Sequence, residues 1–245
     1  TKAIGELGAQ IGAASDYSTI PSLIARALAD GLSLEGAGEA LSIGAAVLYL
    51  RSQLGNPMDV HLHTGANNRR YLVRPGSGFS RRTQILGLMT WHTGPEVRNT
   101  QQTIALMPDP DRERVAALPH RDQGALLDAL TESIYAQPRI DLRTVGNIGR
   151  LMAKPEVQNT VELAQQYANL GYDPEAYFVR LGEITCRDNF TEMHAFKHHQ
   201  AAYEEYRNTR SEYRWLHLVA AAKAAAISYG KMVNIYEEVR ELLPV

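Results

Sequence analysis

An all-α fold is what this sequence predicts. Residues that start and stop helices recur along the whole chain, apolar residues repeat near every 3.6 positions, and alternating strand-like runs are scarce. Read this way, the punctuation divides the chain into roughly ten helices, ending in a long C-terminal helix. Ser, Thr and Asp accept bonds from the unpaired N–H groups of a first turn, and glycine adopts the left-handed conformation that closes a last turn cheaply.

The first clear start is Ser18 or Thr19 followed by Pro21, and it leads into a helix carrying Leu23, Ile24, Ala27 and Leu28 that stops at Gly31. Ser33 caps the next helix. Its stripe of Leu34, Ala37, Leu41, Ala45 and Leu48 needs another helix to cover it, and it ends at Gly55, before an Asn56-Pro57 loop. The run Met58 to His63 alternates apolar and polar residues but is too short and too isolated for a strand, so an extended loop is expected there. Ser80 introduces a helix over 81–91, and Thr93 with Glu96 has the spacing of a capping box. Asp122 precedes Leu126 and Leu127, Pro155 opens a segment ending at Gly171, and Asp173-Pro174-Glu175 opens another. Asp188 or Asn189 starts a segment through Asn208. Ser211 starts the last, whose small side chains from Ala220 to Ala226 suit close packing at the centre of a bundle.

Two stretches echo one another: Leu28-Ala29-Asp30-Gly31-Leu32-Ser33-Leu34-Glu35 and Ala168-Asn169-Leu170-Gly171-Tyr172-Asp173-Pro174-Glu175. Each is a helix end, a glycine, an apolar residue, a cap and a first-turn Glu, which reads either as an internal helical pseudo-repeat or as shared helix-turn-helix grammar. Over Ala27 to Ala46 alone, the chain resembles the helical repeat of carboxymuconolactone decarboxylase-like proteins. The peroxidase branch of that family uses paired cysteines, and this chain has only Cys186, so that activity is not carried over.

The chain has 245 residues, 44% of them hydrophobic and 21% charged, with a formal net charge of -2. This is globular composition, and it is read as a single domain over 1–245 whose subdomain division, if it has one, falls near 109–122. Near-neutral charge gives no global reason to expect nucleic acid or an anionic membrane, so any electrostatic function is local. A lone cysteine forms no internal disulfide, and no run approaches the roughly 20 apolar residues of a membrane span. No export signal is visible at Thr1-Lys2-Ala3-Ile4-Gly5, and a cytoplasmic location is the expectation. A chain beginning at Thr1 has lost its initiator Met or belongs to a longer polypeptide, and both readings stay open.

Two features point toward chemistry. His63-Thr64-Gly65 with Arg69 repeats as His92-Thr93-Gly94 with Arg98, and a cap at each Thr would put the histidine just before a helix. The positive end of a helix disfavours imidazolium, so such a histidine stays neutral and able to ligate a metal or serve as a catalytic proton shuttle, the role expected of His92. His194 and His198 lie four apart on an expected helix, so their rings share one face. With His61 and His63 they make a candidate set of ligands for iron, haem or zinc, with Glu192 or Glu205 as carboxylates. A zincin would need Glu after the first histidine, where Ala195 stands.

The second feature is the stretch from Val60 to Pro95. It contains no Asp or Glu but holds Arg69, Arg70, Arg74, Arg81 and Arg82, with Tyr71 and Phe79 among them. Guanidinium groups suit a small anionic ligand, and Arg69, Arg70 and Arg74 are the candidate anion-binding residues. The alternative is a basic surface paired with acidic segments such as Asp109 to Glu113 or Glu237 to Glu241. Nucleic acid is not expected, since no basic recognition helix or RNA-binding motif is present. Cys186 reads as a small core residue and not as a nucleophile. No phosphate-binding glycine loop, dinucleotide fingerprint or nucleophile elbow occurs.

The leading functional expectation is therefore a helical, metal-dependent oxidoreductase with iron on His61, His63, His194 and His198, acting on a small polar or anionic substrate. The competing expectation is a non-catalytic helical interaction subunit, in a homo-oligomer or a larger complex, that docks through the arginine-rich patch.

Overall fold

The computed structural model describes residues 2–53, 57–103, 112–138, 156–187, 194–210, 212–229 and 235–243. Among these residues every regular element is helical and no strand occurs. In chain order the α-helices are α1 (Lys2–Gly12), α2 (Ile20–Ala29), α3 (Leu34–Arg51), α4 (Val60–Val73), α5 (Arg81–Met89), α6 (Pro95–Thr100) and α7 (Arg112–Ala117). They continue with α8 (Gln123–Tyr135), α9 (Val157–Leu170), α10 (Pro174–Arg187), α11 (His194–Asn208), α12 (Trp215–Ser228) and α13 (Ile235–Leu242).

Much of the capping grammar is present as expected. Ser33 Oγ accepts the Gly36 N–H at 3.0 Å, Ser80 Oγ that of Thr83 at 3.2 Å, and Asp122 Oδ1 that of Ala125 at 2.8 Å. Asp173 accepts the N–H of Glu175 at 3.0 Å, opening α10. Gly31 and Gly171 sit at φ 97° and 69°, a conformation that a side chain makes costly.

Three local expectations give way. Val60 to His63 is the first turn of α4 and not an extended loop, and Thr64 bonds back to Val60 O instead of capping a start. A helix entered through Asp59 already satisfies these backbone groups, which removes any need for a cap at Thr64. At α6 the N-cap is Gly94 without a side-chain cap bond, because Thr93 Oγ1 is already committed to Thr90 O at 2.8 Å. The N-terminal helix α1 carried no start signal of its own; tertiary packing stabilises it. The expected starts at Asp188 or Asn189, at Pro155 and at Ser211 lie outside the described residues.

The chain packs as two compact units. The first comprises Thr1–Ser52, Met58–Met107 and Ala201–His217, and the second Gln53–Pro57, Pro108–Gln200 and Leu218–Val245. In the first unit, α1 and α4 pack against α3. A Cβ on Gly44 would fall 2.4 Å from Ile11 Cγ2, so glycine is what permits the close approach of α1 to α3. Trp91 and Tyr17 are fully buried, with ring centroids 5.6 Å apart, and the Trp91 indole N–H donates to Leu62 O at 3.0 Å. In the second unit, α8 packs on α9 and α10. The α12 segment from Leu218 to Ile227 is buried on every face, as its alanine-rich composition predicts. No helix among the described residues is long and apolar enough to cross a membrane.

Candidate functional site

The first unit carries a buried polar network whose members fall at helical spacings. On α4, His63, Asn67 and Arg70 are separated by four and three residues, so they form one stripe along the helix, and Arg74 follows at its C-cap. On α3, Glu35, Glu39 and Ser42 do the same. The end of α11 and the segment after it bring Glu204, Glu205, Thr209 and Arg210, and the first turn of α12 brings His217.

Glu205 is fully buried and is the hub. Ser42 Oγ donates to its Oε2 at 2.5 Å, Asn67 Nδ2 to its Oε1 at 2.9 Å, and Arg70 Nη1 forms an ion pair with Oε2. Arg70 also donates to Asn208 O at 3.0 Å and reaches Thr209 Oγ1 at 3.5 Å. Thr209 Oγ1 lies 3.1 Å from His217 Nε2, and His217 Nδ1 lies 2.8 Å from His63 Nε2. Both imidazoles are fully buried.

The two rings are 3° from parallel with centroids 4.9 Å apart. Rings stacked face to face stay about 3.5 Å apart, and a nitrogen separation shorter than that requires the two planes nearly to coincide. The imidazoles therefore lie end to end and share one proton between facing nitrogens. Two histidines on a tetrahedral ion approach it at an angle, so this pair has the geometry of a hydrogen bond. Burial, partly offset by the Glu205 charge, holds the His63 pKa down at about 4, so the ring is neutral near pH 7.

Beside this network lies a cleft of about 400 Å³, lined by Glu35, Glu39, Arg70, Arg74, Asn208 and Arg210 among others. Glu39, almost fully buried, accepts the Arg210 backbone N–H at 2.8 Å and its Nε at 3.3 Å. Arg74 pairs loosely with Glu204 at 3.4 Å, and both side chains are partly exposed.

The candidates from sequence are distributed as follows. Arg70 and Arg74 line the cleft, whereas Arg69 is half-buried and donates to the carbonyls of Gly65 and Thr90 at 3.0 and 3.2 Å. Among the described residues, the acidic partners of Arg70 and Arg74 are Glu205 and Glu204 on α11. His61 and His63 sit 200° apart around α4 by helix geometry, so one is buried and the other half-exposed with Nδ1 2.7 Å from Met58 O. His92 lines a separate cleft of about 370 Å³ with Asp16, Arg98 and Gln102, its Nδ1 held 3.1 Å from Met89 O. His194 and His198 are on α11 within the second unit, half-buried and buried respectively. Among the described residues, no group of three or more His, Cys, Asp or Glu side chains is placed to hold a metal ion. Cys186 is exposed, not part of a core.

His217, Thr209, Ser42 and Asn67 were not singled out from sequence. The available signals were the polar stripe on α4 and a histidine standing alone in the apolar run Trp215-Leu216-His217-Leu218. Compared with models of protein families, with curated proteins and with solved structures, the chain matches none, and the site stands on its own residues.

Proposed function

We propose that the first unit is the working part of a helical enzyme that takes a small polar or anionic substrate into the cleft and couples it to the buried hydrogen-bonded chain behind it. Arg74 and Arg210 are the anion-holding groups, because guanidinium forks match carboxylate and phosphate oxygens. A cleft near 400 Å³ lies at the small end of ligand sites and suits a metabolite-sized molecule.

One observation carries the reading. Arg70 both lines the cleft and contacts Glu205 and Thr209, which joins the cleft to the histidine pair. A hydroxyl donates and accepts, and each neutral imidazole donates at one nitrogen and accepts at the other. Thr209, His217 and His63 can therefore reverse their bond directions together, so a change at Arg70 reaches both rings without net proton transfer and without leaving a charge in the interior. Arg70 is a positioning residue in this scheme, since it acts through Thr209. A buried ion pair is expensive to retain and is weak evidence for stability alone, which supports a functional use of the Arg70–Glu205 pair.

The test is imidazole ¹⁵N NMR with phosphate, succinate and pyruvate as probes. Binding in the cleft is expected to shift the His217 and His63 nitrogens, and Arg74→Ala is expected to weaken binding about tenfold or more. Binding that leaves both imidazoles unmoved would refute the relay, and binding indifferent to Arg74→Ala would place the anion elsewhere.

The interaction-subunit reading has an observation of its own. Tyr71, Phe79 and Leu86 are 61%, 44% and 52% exposed in the α4–α5 hairpin, alongside exposed Arg81 and Arg82. Apolar groups ringed by cations suit a protein surface. Sedimentation across a range of concentrations tests the homo-oligomeric form: an assembly dissolved by Phe79→Ser with Leu86→Ser supports it, and a persistent monomer counts against it.

A further inference from the structure

The cleft is not uniformly basic, and the distribution of its uncommitted groups is specific. Glu35 and Glu39 are one turn apart on α3 and both line it. Both Glu39 oxygens are occupied by Arg210, which binds through its backbone N–H and Nε. The Glu35 carboxylate is half-buried and makes no hydrogen bond or ion pair among the described residues. On the cationic side, the terminal nitrogens of Arg210 make no hydrogen bond among the described residues, and the Arg74 guanidinium has a long 3.4 Å contact to Glu204 and a cation–π contact with the Tyr71 ring at 5.9 Å. The cleft therefore offers one unspent carboxylate and two under-used guanidinium groups.

We propose that the ligand is a zwitterion of the amino acid type, with its carboxylate on Arg210 and Arg74 and its ammonium on Glu35. This rests on the cleft reading above and names its substrate class. A purely anionic ligand would bring its charge into the same small cleft as Glu35, where like charges repel. An ammonium converts that repulsion into a charge-assisted hydrogen bond, and Glu35 becomes the group that rejects deaminated analogues. Glu35 also sits in the first turn of α3, where a carboxylate is favoured by the helix dipole. That is sufficient reason for an acid at this position, so the test must separate helix stabilisation from ligand selection.

The experiment uses the intact chain and isothermal titration calorimetry. Probes are the twenty standard L-amino acids with 4-aminobutyrate, followed for the tightest binder by its 2-hydroxy acid analogue and its decarboxylated amine. The zwitterion is expected to bind about tenfold or more tighter than either analogue. Glu35→Gln is expected to remove its advantage over the hydroxy acid, leave hydroxy acid affinity unchanged or improved, and shift the melting temperature little. Arg74→Ala is expected to weaken both acids alike. If hydroxy acids or dicarboxylates bind as well as amino acids, or Glu35→Gln leaves selectivity intact, the zwitterion assignment fails while the anion cleft stands. If no amino acid and no anion binds, both fail together. If Glu35→Gln is too unstable to titrate, Glu35→Asp decides: it keeps the charge but shortens its reach, and undiminished selectivity in that variant, together with undiminished ammonium binding, overturns the role of Glu35.

Discussion

Two histidine pairs in this chain contrast sharply. His194 and His198 are four residues apart on one helix, a spacing that puts two rings on one face by geometry alone. His63 and His217 are 154 residues apart, yet they meet end to end with nitrogens 2.8 Å apart. Sharing a helix face brings side chains near one another; it does not aim them at a common atom. Convergence in the second pair comes from helices that hold the backbones in place and from Thr209, which engages the far nitrogen of His217. Burial then keeps His63 neutral near pH 7.

The comparison breaks most severely if the charges around the buried pair are uncoupled. Arg70→Ala leaves Glu205 buried without its cation, and stability is expected to fall by about 3–5 kcal/mol in denaturant titration. A loss below about 1 kcal/mol would mean that the network is not the closed unit described.

Next in size is the pH dependence of the buried His63. The His63 pKa is depressed from 6.5 to about 4 in the fold, so between those values the unfolded chain binds more protons than the folded one. The His63 contribution is complete above about pH 6.5 and is lost as pH falls toward 4, on the order of 3 kcal/mol in total. Unfolding free energies of wild type and His63→Gln at pH 5 and pH 7.5 check this, the variant being expected to show the shallower decline.

The helical pair should respond unequally. His198 is fully buried, and His198→Ala is expected to cost about 1–3 kcal/mol, while half-buried His194→Ala stays within about 0.5 kcal/mol. Metal analysis of tag-free wild type and both variants sharpens the contrast. Stoichiometric iron or zinc lost on either substitution would give the helical spacing a chemical meaning as well. The smallest effect belongs to Arg74→Ala, where a loose, partly exposed ion pair at 3.4 Å contributes less than about 1 kcal/mol to stability. Its consequence is expected in ligand affinity and not in melting.

What the sequence determined by itself was everything that depends on neighbours along the chain. The all-α class follows from periodicity, and the caps at Ser33, Ser80, Asp122 and Asp173 follow from local hydrogen bonding, as do the left-handed glycines 31 and 171. The arginine segment was legible as charge, and of the three arginines expected to bind an anion, Arg70 and Arg74 line a polar cleft. Local rules misread His63 as a residue ahead of a helix, because Thr64 is a good cap residue wherever a helix has not already begun. Tertiary structure alone decided that Arg69 turns to backbone carbonyls while its neighbour Arg70 reaches Glu205, one residue being worth 100° of rotation around α4. It also decided that Ser42, Asn67, Arg70 and Glu205 form one network and that His217 meets His63. Those contacts span 135 to 163 residues, and no periodicity along a single helix encodes a partner on another.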